Sequence, residues 1–453
     1  MRLAAGLLAA RAAGAVTRLA GRGGTSLPGK VLMRAEPHAI ARLAARLSRG
    51  SVVISATNGK TTTAAMVAAI LGRTGTRLVH NRAGANMAGG VATALADASR
   101  DRVDMGLFEV DEFWLGPVAA ELEPRAVLLG NLFRDQLDRY GELEIIADRW
   151  AEIVAGLPDA TALVLNADDP LVADLGRHRD ALYFGVDDDA LALPELQHAS
   201  DSKHCRRCGH AYEYEAAYLA HLGRYACPNC GARRPVPAVS ASAVELRGIR
   251  SAAFTLRVGA DGVSERRIEL PLPGLYNVYN ALAAAALCLR LGIPLDDIVA
   301  GLAAVAPAFG RAETIDLGGR PTSILLVKNP AGANEVLRTL ALEGTELDLF
   351  GVLNDRTADG RDVSWVWDAD WEIIAPHVRR VTCSGTRAAE LALRLKYAGV
   401  DSGRLEVVEE LDRGLDQALA DGAGPLYALP TYTALLELRD LLARRGQARE
   451  YWR

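Results

Sequence analysis

The sequence lacks a dominant charge. Its 453 residues carry 51 Lys and Arg against 56 Asp and Glu, a net charge of −5, so no overall pull toward nucleic acid is present. It also lacks the cysteine density of a disulfide-stapled fold. Of six cysteines, four fall in two close pairs, Cys205/Cys208 and Cys227/Cys230, while Cys288 and Cys383 stand alone. That distribution points to a reducing compartment and one metal site. The apolar N-terminal stretch is no membrane span either, because Arg11 and Arg18 interrupt it. Arg2 and the Ala-rich stretch imitate a signal peptide; the reading preferred is an amphipathic helix packed on the protein, in a cytoplasmic chain. No internal repeat is present, and no low-complexity segment beyond Ala-rich helices. What remains is ordinary globular composition in a chain long enough for two or three domains.

Short apolar runs alternate with helical patterns from about residue 50 to 185. "SVVIS" (51–55), "MGLFEV" (105–110), "AVLLGN" (126–131) and "TALVLN" (161–166) read as strands, and 62–72 and 144–156 as helices. Such alternation implies an α/β fold with a parallel sheet covered by helices. Residues 201–235 change character and read as an insertion. A β-rich stretch follows at 243–270, then a turn and a strong helix. A second α/β unit begins near "PAFGRAET", with strands expected at "SILLV" (323–327), "LFGVL" (349–353), "VTCSG" (381–385) and "LYALP" (426–430). The expected division is 1–310, with an N-terminal helix in 1–48 and the insertion at about 201–235, then a smaller, Rossmann-like unit at 311–453.

"ATNGKTTT" (56–63) follows a strand and precedes a helix, the setting that a phosphate-binding loop requires. Gly59 lets the backbone approach an anion, and the amides at the helix start, with the helix dipole, face the phosphates. Lys60 is expected to pair with the β- and γ-phosphates of ATP, and the Thr61 hydroxyl to ligate Mg²⁺. Thr57, Asn58 and Thr62 complete the loop. Ala56 stands where such loops usually begin with glycine, but it is small. Glu109, in "FEVDE", ends a strand at the edge where open parallel sheets bind ligands, within reach of the same magnesium ion.

C-x₂-C-x₁₈-C-x₂-C, over Cys205, Cys208, Cys227 and Cys230, is a strong zinc signal. Four thiolates leave no coordination position for a reacting water, so the ion is expected to be structural. His204 and His210 adjoin the first knuckle and are not taken as ligands. The ribbon's arginines and tyrosines could face nucleic acid or anionic lipid headgroups; bracing a domain is the plainer use. "NDRTADGRDVSWVWDAD" (354–370) packs Asp355, Asp359, Asp362, Asp368 and Asp370 around two tryptophans, which suggests an interface loop.

In order along the chain, "ATNGKTTT", "NRAGANMAGG", "FEVDE", "NLFRDQLDRYGE", "LNADDP", "PGLYNVYNALAA" and "FGRAE" resemble the motifs of the Mur ligases. With the four-cysteine insertion and the Asp-rich segment, the chain is similar to the MurT branch of that family. The resemblance implies a Mur ligase-like P-loop ATPase domain followed by a MurT-type C-terminal domain. It implies an ATP-dependent ligase that amidates the α-carboxylate of D-glutamate in lipid II through an acyl phosphate, with ammonia from a GatD-type glutaminase in a heterodimer. It carries Lys60 and Thr61 onto the nucleotide loop, Glu109 onto the magnesium ligand, Asn277 near the adenine, and Arg311 near the nucleotide at the domain junction. An Asp of 355–370, Asp355 first and Asp362 as alternative, completes the partner's Cys-His pair. Cytoplasmic work at the inner membrane face, with peripheral membrane contact open and no nucleic acid partner, follows. The family's usual Asp-His-Asn-Pro segment reads "LVKNPAGANE" (326–335) here, its histidine gone and Lys328 and Asn329 present. This departure and the Asp-rich segment count against a stand-alone amino-acid ligase of the muramyl or folylpolyglutamate type; the acidic net charge and the absence of helicase-like motifs count against a nucleic-acid-binding ATPase with a zinc ribbon.

Overall fold

A computed structural model describes residues 2–19, 25–81, 85–135, 143–259, 264–305, 313–344, 346–420, 422 and 424–448. Arg311, the expected unit boundary near 306–312, and parts of the motifs at 82–84 and 136–142 lie outside the described residues.

The Ala-rich helical patterns and the apolar runs assemble around a nine-stranded sheet. Its parallel part comprises β1 (Ser51–Ser55), β2 (Leu78–His80), β3 (Met105–Glu109), β4 (Ala126–Leu129), β5 (Ala162–Asn166) and β6 (Ala181–Val186). The insertion contributes a separate hairpin, β7 (Glu213–Leu219) and β8 (Leu222–Ala226). The sheet then continues with β9 (Val239–Arg247), β10 (Ser251–Val258) and β11 (Ser264–Leu270), in the order β11-β10-β9-β6-β5-β4-β1-β3-β2. Pairing is antiparallel between β9, β10 and β11 and parallel elsewhere. β1 is central, with β3 on one side and β4 on the other, so the chain reverses direction of growth there and opens a crevice beyond the strand C-termini.

Period-two alternation divides each central strand between two cores. Val52 and Ile54 of β1 face the helices Lys60–Arg73 and Leu275–Arg290, while Val53 faces the N-terminal helices. The single N-terminal helix expected within 1–48 is three, Arg2–Leu19, Leu27–Ala35 and Ala39–Ala44. Pro28 starts the second, where its fixed φ suits a first turn but cannot continue a preceding helix. Leu3, Ala10 and Leu32 pack them onto Val91 and Leu95.

The second sheet runs β12 (Glu313–Leu317), β13 (Arg320–Ile324), β17 (Leu426–Pro430), β14 (Leu347–Val352), β15 (Val378–Ser384) and β16 (Leu405–Val407), once β14 to β17 are counted along the chain. β12 is antiparallel and the rest are parallel. The strand expected at 323–327 is displaced: β13 ends at Ile324, although Leu325 and Val327 still donate to the Ala428 and Pro430 carbonyls. β13 begins early because Gly318 and Gly319, both at positive φ, turn the chain back from β12. Among the described residues, no helix is long and apolar enough to cross a membrane.

Helix Leu27–Ala35 crosses the helix Ala88–Asp97 at Gly29, where a Cβ would stand 1.9 Å from the Gly89 carbonyl oxygen and 2.8 Å from Thr93 Oγ1. Gly29→Ala should therefore lower stability by about 1–3 kcal/mol, the usual cost of overpacking, read as a lower melting temperature.

Candidate functional site: a nucleotide-sized crevice

The loop after β1 is held by the loop after β4. Thr57 N bonds Asn131 O (2.9 Å), Phe133 N bonds Thr57 Oγ1 (3.0 Å), and the Asn131 amide exchanges hydrogen bonds with the Asn58 backbone at 2.9 and 3.0 Å. Ala56 fits without the usual glycine because its neighbour yields the space: Gly130 would place a Cβ only 3.0 Å from the Ala56 methyl. Gly59, at φ +89°, caps the helix Lys60–Arg73. A Cβ there would lie 2.0 Å from Asn280 Oδ1. The first amides of that helix have no partner within it, and they open toward the crevice with the positive end of its dipole.

Lys60 reaches across this mouth. It donates to Glu112 Oε2 at 2.8 Å, to Thr57 O at 3.5 Å and to the Ala56 carbonyl. Burial opposes its charge, but the Glu112 carboxylate beside it overcomes this and raises its pKa. Glu112 experiences the converse, and the two lysines Lys60 and Lys328 hold it below its ordinary value despite burial. The Glu112 carbonyl is itself fixed by the indole of fully buried Trp150 (3.1 Å). Glu109, buried at the end of β3, is positioned by Asn81, which accepts from its N–H (3.0 Å) and donates to its carbonyl (2.7 Å).

The C-terminal half closes the crevice. Lys328 Nζ bonds Thr57 O at 3.2 Å and pairs with Asp135, and the Asn329 and Asn58 side-chain amides bond reciprocally at 3.2 and 3.1 Å. Together these elements enclose a cavity of about 360 Å³, the size of a small-molecule site. Thr57, Asn58, Gly59, Lys60, Thr61 and Thr62 line it, as do Glu109 and Asn277. Asn277 donates to Pro273 O (2.8 Å) and accepts from Asn280 (3.1 Å), whose Oδ1 contacts Thr63. Glu109 and Thr61 thus share one cavity, a pairing of carboxylate and hydroxyl that suits a hard divalent cation.

The four cysteines come together. Their Sγ atoms lie within 4.8 Å of one another, as one tetrahedrally bound ion requires. The two knuckles share one design: Cys205 N bonds His210 O and Cys227 N bonds Ala232 O, both at 2.7 Å, with Gly209 and Gly231 at φ +73°. Four of the ribbon's arginines pair with carboxylates: Arg206 with Asp148, Arg207 with Asp174, Arg224 with Asp189, and Arg234 with Asp168 and Asp187, whereas Arg233 is exposed. Arg234, held by Asp168 and Asp187, braces the ribbon against the sheet. Cys288 and Cys383 are buried, and burial pushes both thiols up, Cys383 to about 12, so neither is an activated nucleophile.

Asp355 lies in a separate shallow depression with Arg356, Thr357, Arg361 and Arg387. It accepts from Thr386 Oγ1 and Arg387 Nε, each at 2.8 Å, and these contacts keep its carboxyl ionised below the ordinary range. Asp362 caps Ser364 N (2.8 Å). Asp359 is instead buried and bound to Thr433, while Asp370 pairs with Asn334 and Asp368 with Arg134. Trp367 is exposed and meets exposed Tyr397 edge-on at 5.8 Å.

Sequence reading overlooked Asn131, Glu112 and Asp135, which hold the loop and its lysines, and Asn81, which positions Glu109. The signal for Glu112 was present three residues beyond Glu109, and Asn131 ends the quoted strand "AVLLGN". Gly59→Ala should disturb the loop and lower the melting temperature, from a positive-φ penalty and the collision with Asn280.

The chain resembles known proteins in sequence and in fold. Residues 54–232 match the Mur ligase middle domain and 326–435 the MurT ligase C-terminal domain. The chain is 34% identical over 449 residues to the lipid II isoglutaminyl synthase (glutamine-hydrolyzing) subunit MurT of Streptococcus pneumoniae, covering 98% of each. Its fold is similar to a pseudomurein peptide ligase type C of Methanothermus fervidus (TM-score 0.68, 24% identity, 88% of this chain and 79% of that one). It is also similar to the MurF ligase of Thermotoga maritima solved with ADP (TM-score 0.64, 14% identity, 93% and 84%). The chain is a ligase and belongs to the MurT family of lipid II isoglutaminyl synthase subunits.

Proposed function

We propose that this chain binds ATP and Mg²⁺ in the 360 Å³ crevice and activates the α-carboxylate of D-glutamate in lipid II, so that ammonia can convert it to D-isoglutamine. The observation carrying this reading is the convergence of Lys60 and Lys328 on one carbonyl oxygen at the mouth of a glycine-capped helix. A carboxylate resists amines because its oxygen is a poor leaving group; phosphorylation supplies a good one. Lys60 and the helix amides stabilise charge on the transferred phosphoryl group. Magnesium, when bound, neutralises charge on the phosphates, and Thr61 and Glu109 are the residues to hold it. Thr57, Asn58, Gly59 and Thr62 shape the phosphate end, and Asn277 and Arg311 contact the remainder of the nucleotide. Enclosure between the two halves keeps water from the acyl phosphate.

The ammonia comes from a GatD-type glutaminase subunit, as the subunit designation of the pneumococcal relative suggests. Asp355 completes that partner's Cys-His pair by orienting the histidine, with Asp362 as alternative. Its ionised state and its place in a surface depression support this. Zinc occupies the four cysteines as a structural ion. The chain divides at about residue 311 and works in the cytoplasm at the inner membrane face.

Mass spectrometry of lipid II after incubation with the chain, ATP, Mg²⁺ and ammonium should show one hydroxyl replaced by an amino group. Addition of a whole amino acid instead would establish the stand-alone ligase. Asp355→Asn, assayed with the glutaminase present, should abolish glutamine-driven amidation and leave ammonium-driven amidation intact.

A further inference from the structure

One wall of the crevice comes from outside the parallel sheet. The β7–β8 hairpin grows from the cysteine ribbon: β7 follows the Cys205/Cys208 knuckle, and β8 ends at Ala226, directly before Cys227. Its turn sets Leu219 and Leu222 in the lining of the cavity. Both are buried in the same core cluster as Leu272 and Leu275.

This turn is over-determined. Ala220 adopts φ +47°, a left-handed conformation costly for alanine. Its N–H donates to Gln197 Oε1 (2.9 Å), Gly223 N to Asp168 O (3.0 Å), and Arg338, from the C-terminal half, to Tyr218 O (2.8 Å). His221 is wholly buried, its ring 4.9 Å from that of Phe133. Backbone strain held by so many contacts is characteristic of functional positions.

The helix Leu275–Arg290 gives the cavity its direction. Asn280 abuts Gly59 at the phosphate end. Tyr276 and Asn277 lie about one turn earlier, beside Leu272. Leu219 and Leu222 line the same cavity as Leu272 and Tyr276 and belong to the same apolar cluster, an apolar lining that suits a flat, weakly hydrated ring.

We propose that Leu219 and Leu222 are positioning residues for the nucleobase, and that the four-cysteine site acts on nucleotide affinity by fixing the stems of their hairpin. This rests on the reading of the cavity as an ATP site. Calorimetry of the full chain with ATP and, separately, with inorganic tripolyphosphate tests it. Leu219→Ala and Leu222→Ala should each weaken ATP about tenfold, the value of a buried leucine contact, and leave tripolyphosphate unchanged. Lys60→Ala should weaken both. Leu222→Val, which spares the fold, should give a smaller loss confined to ATP. Stripping the cysteine-bound metal with a chelator, with release followed colorimetrically, should reproduce the leucine pattern. Unchanged ATP affinity in the leucine variants, or equal loss for both ligands, overturns the base-wall assignment; unchanged ATP affinity after metal release overturns the coupling. A wild-type chain that binds neither ligand refutes the ATP site itself.

Discussion

Two ammonium groups from distant parts of the chain meet at the carbonyl oxygen of Thr57. Lys60 arrives from the helix that follows β1, and Lys328 from the segment after β13. Like charges this close are tolerated because Glu112 and Asp135 stand beside them. The relation between the halves follows from this arrangement. The Asn58–Asn329 amide pair sets the register, and the crevice exists only where both halves contribute walls. The same two carboxylates neutralise the lysines, and Lys328 ties the C-terminal half to the loop after β1.

Much of this was legible in the sequence because it depends on local pattern. The loop after β1 is short, glycine-bearing and flanked by a strand and a helix, and all six residues from Thr57 to Thr62 line the cavity. The cysteine spacing likewise implied the cluster that forms. What escaped notice depends on chain topology. Asn131 contacts Asn58 only because β4 lies beside β1, and Lys60 meets Glu112 only because β3 lies on the other side. β12 was missed because it is an edge strand with a half-solvated, polar alternation. The displaced β13 and the three N-terminal helices record turn and proline chemistry that a search for apolar runs weighs too lightly.

The ribbon illustrates how a charged surface can mislead. Its arginines look like a binding face in one dimension. In three dimensions Arg206, Arg207, Arg224 and Arg234 are tied to Asp148, Asp168, Asp174, Asp187 and Asp189, most of them in or near the motif at 165–170 and its following strand. Asp168 also accepts from Tyr279 Oη (2.6 Å) and Val186 N (2.8 Å). One buried carboxylate thereby joins the insertion, the sheet and the long helix beside the crevice.

Ala56 and Gly130 form a pair whose volumes trade. The methyl that one strand end carries is accommodated by the hydrogen that its neighbour carries. Positions 56 and 130 therefore touch across two strands, and any side chain at 130 would crowd the methyl at 56 and press on the loop that Ala56 begins.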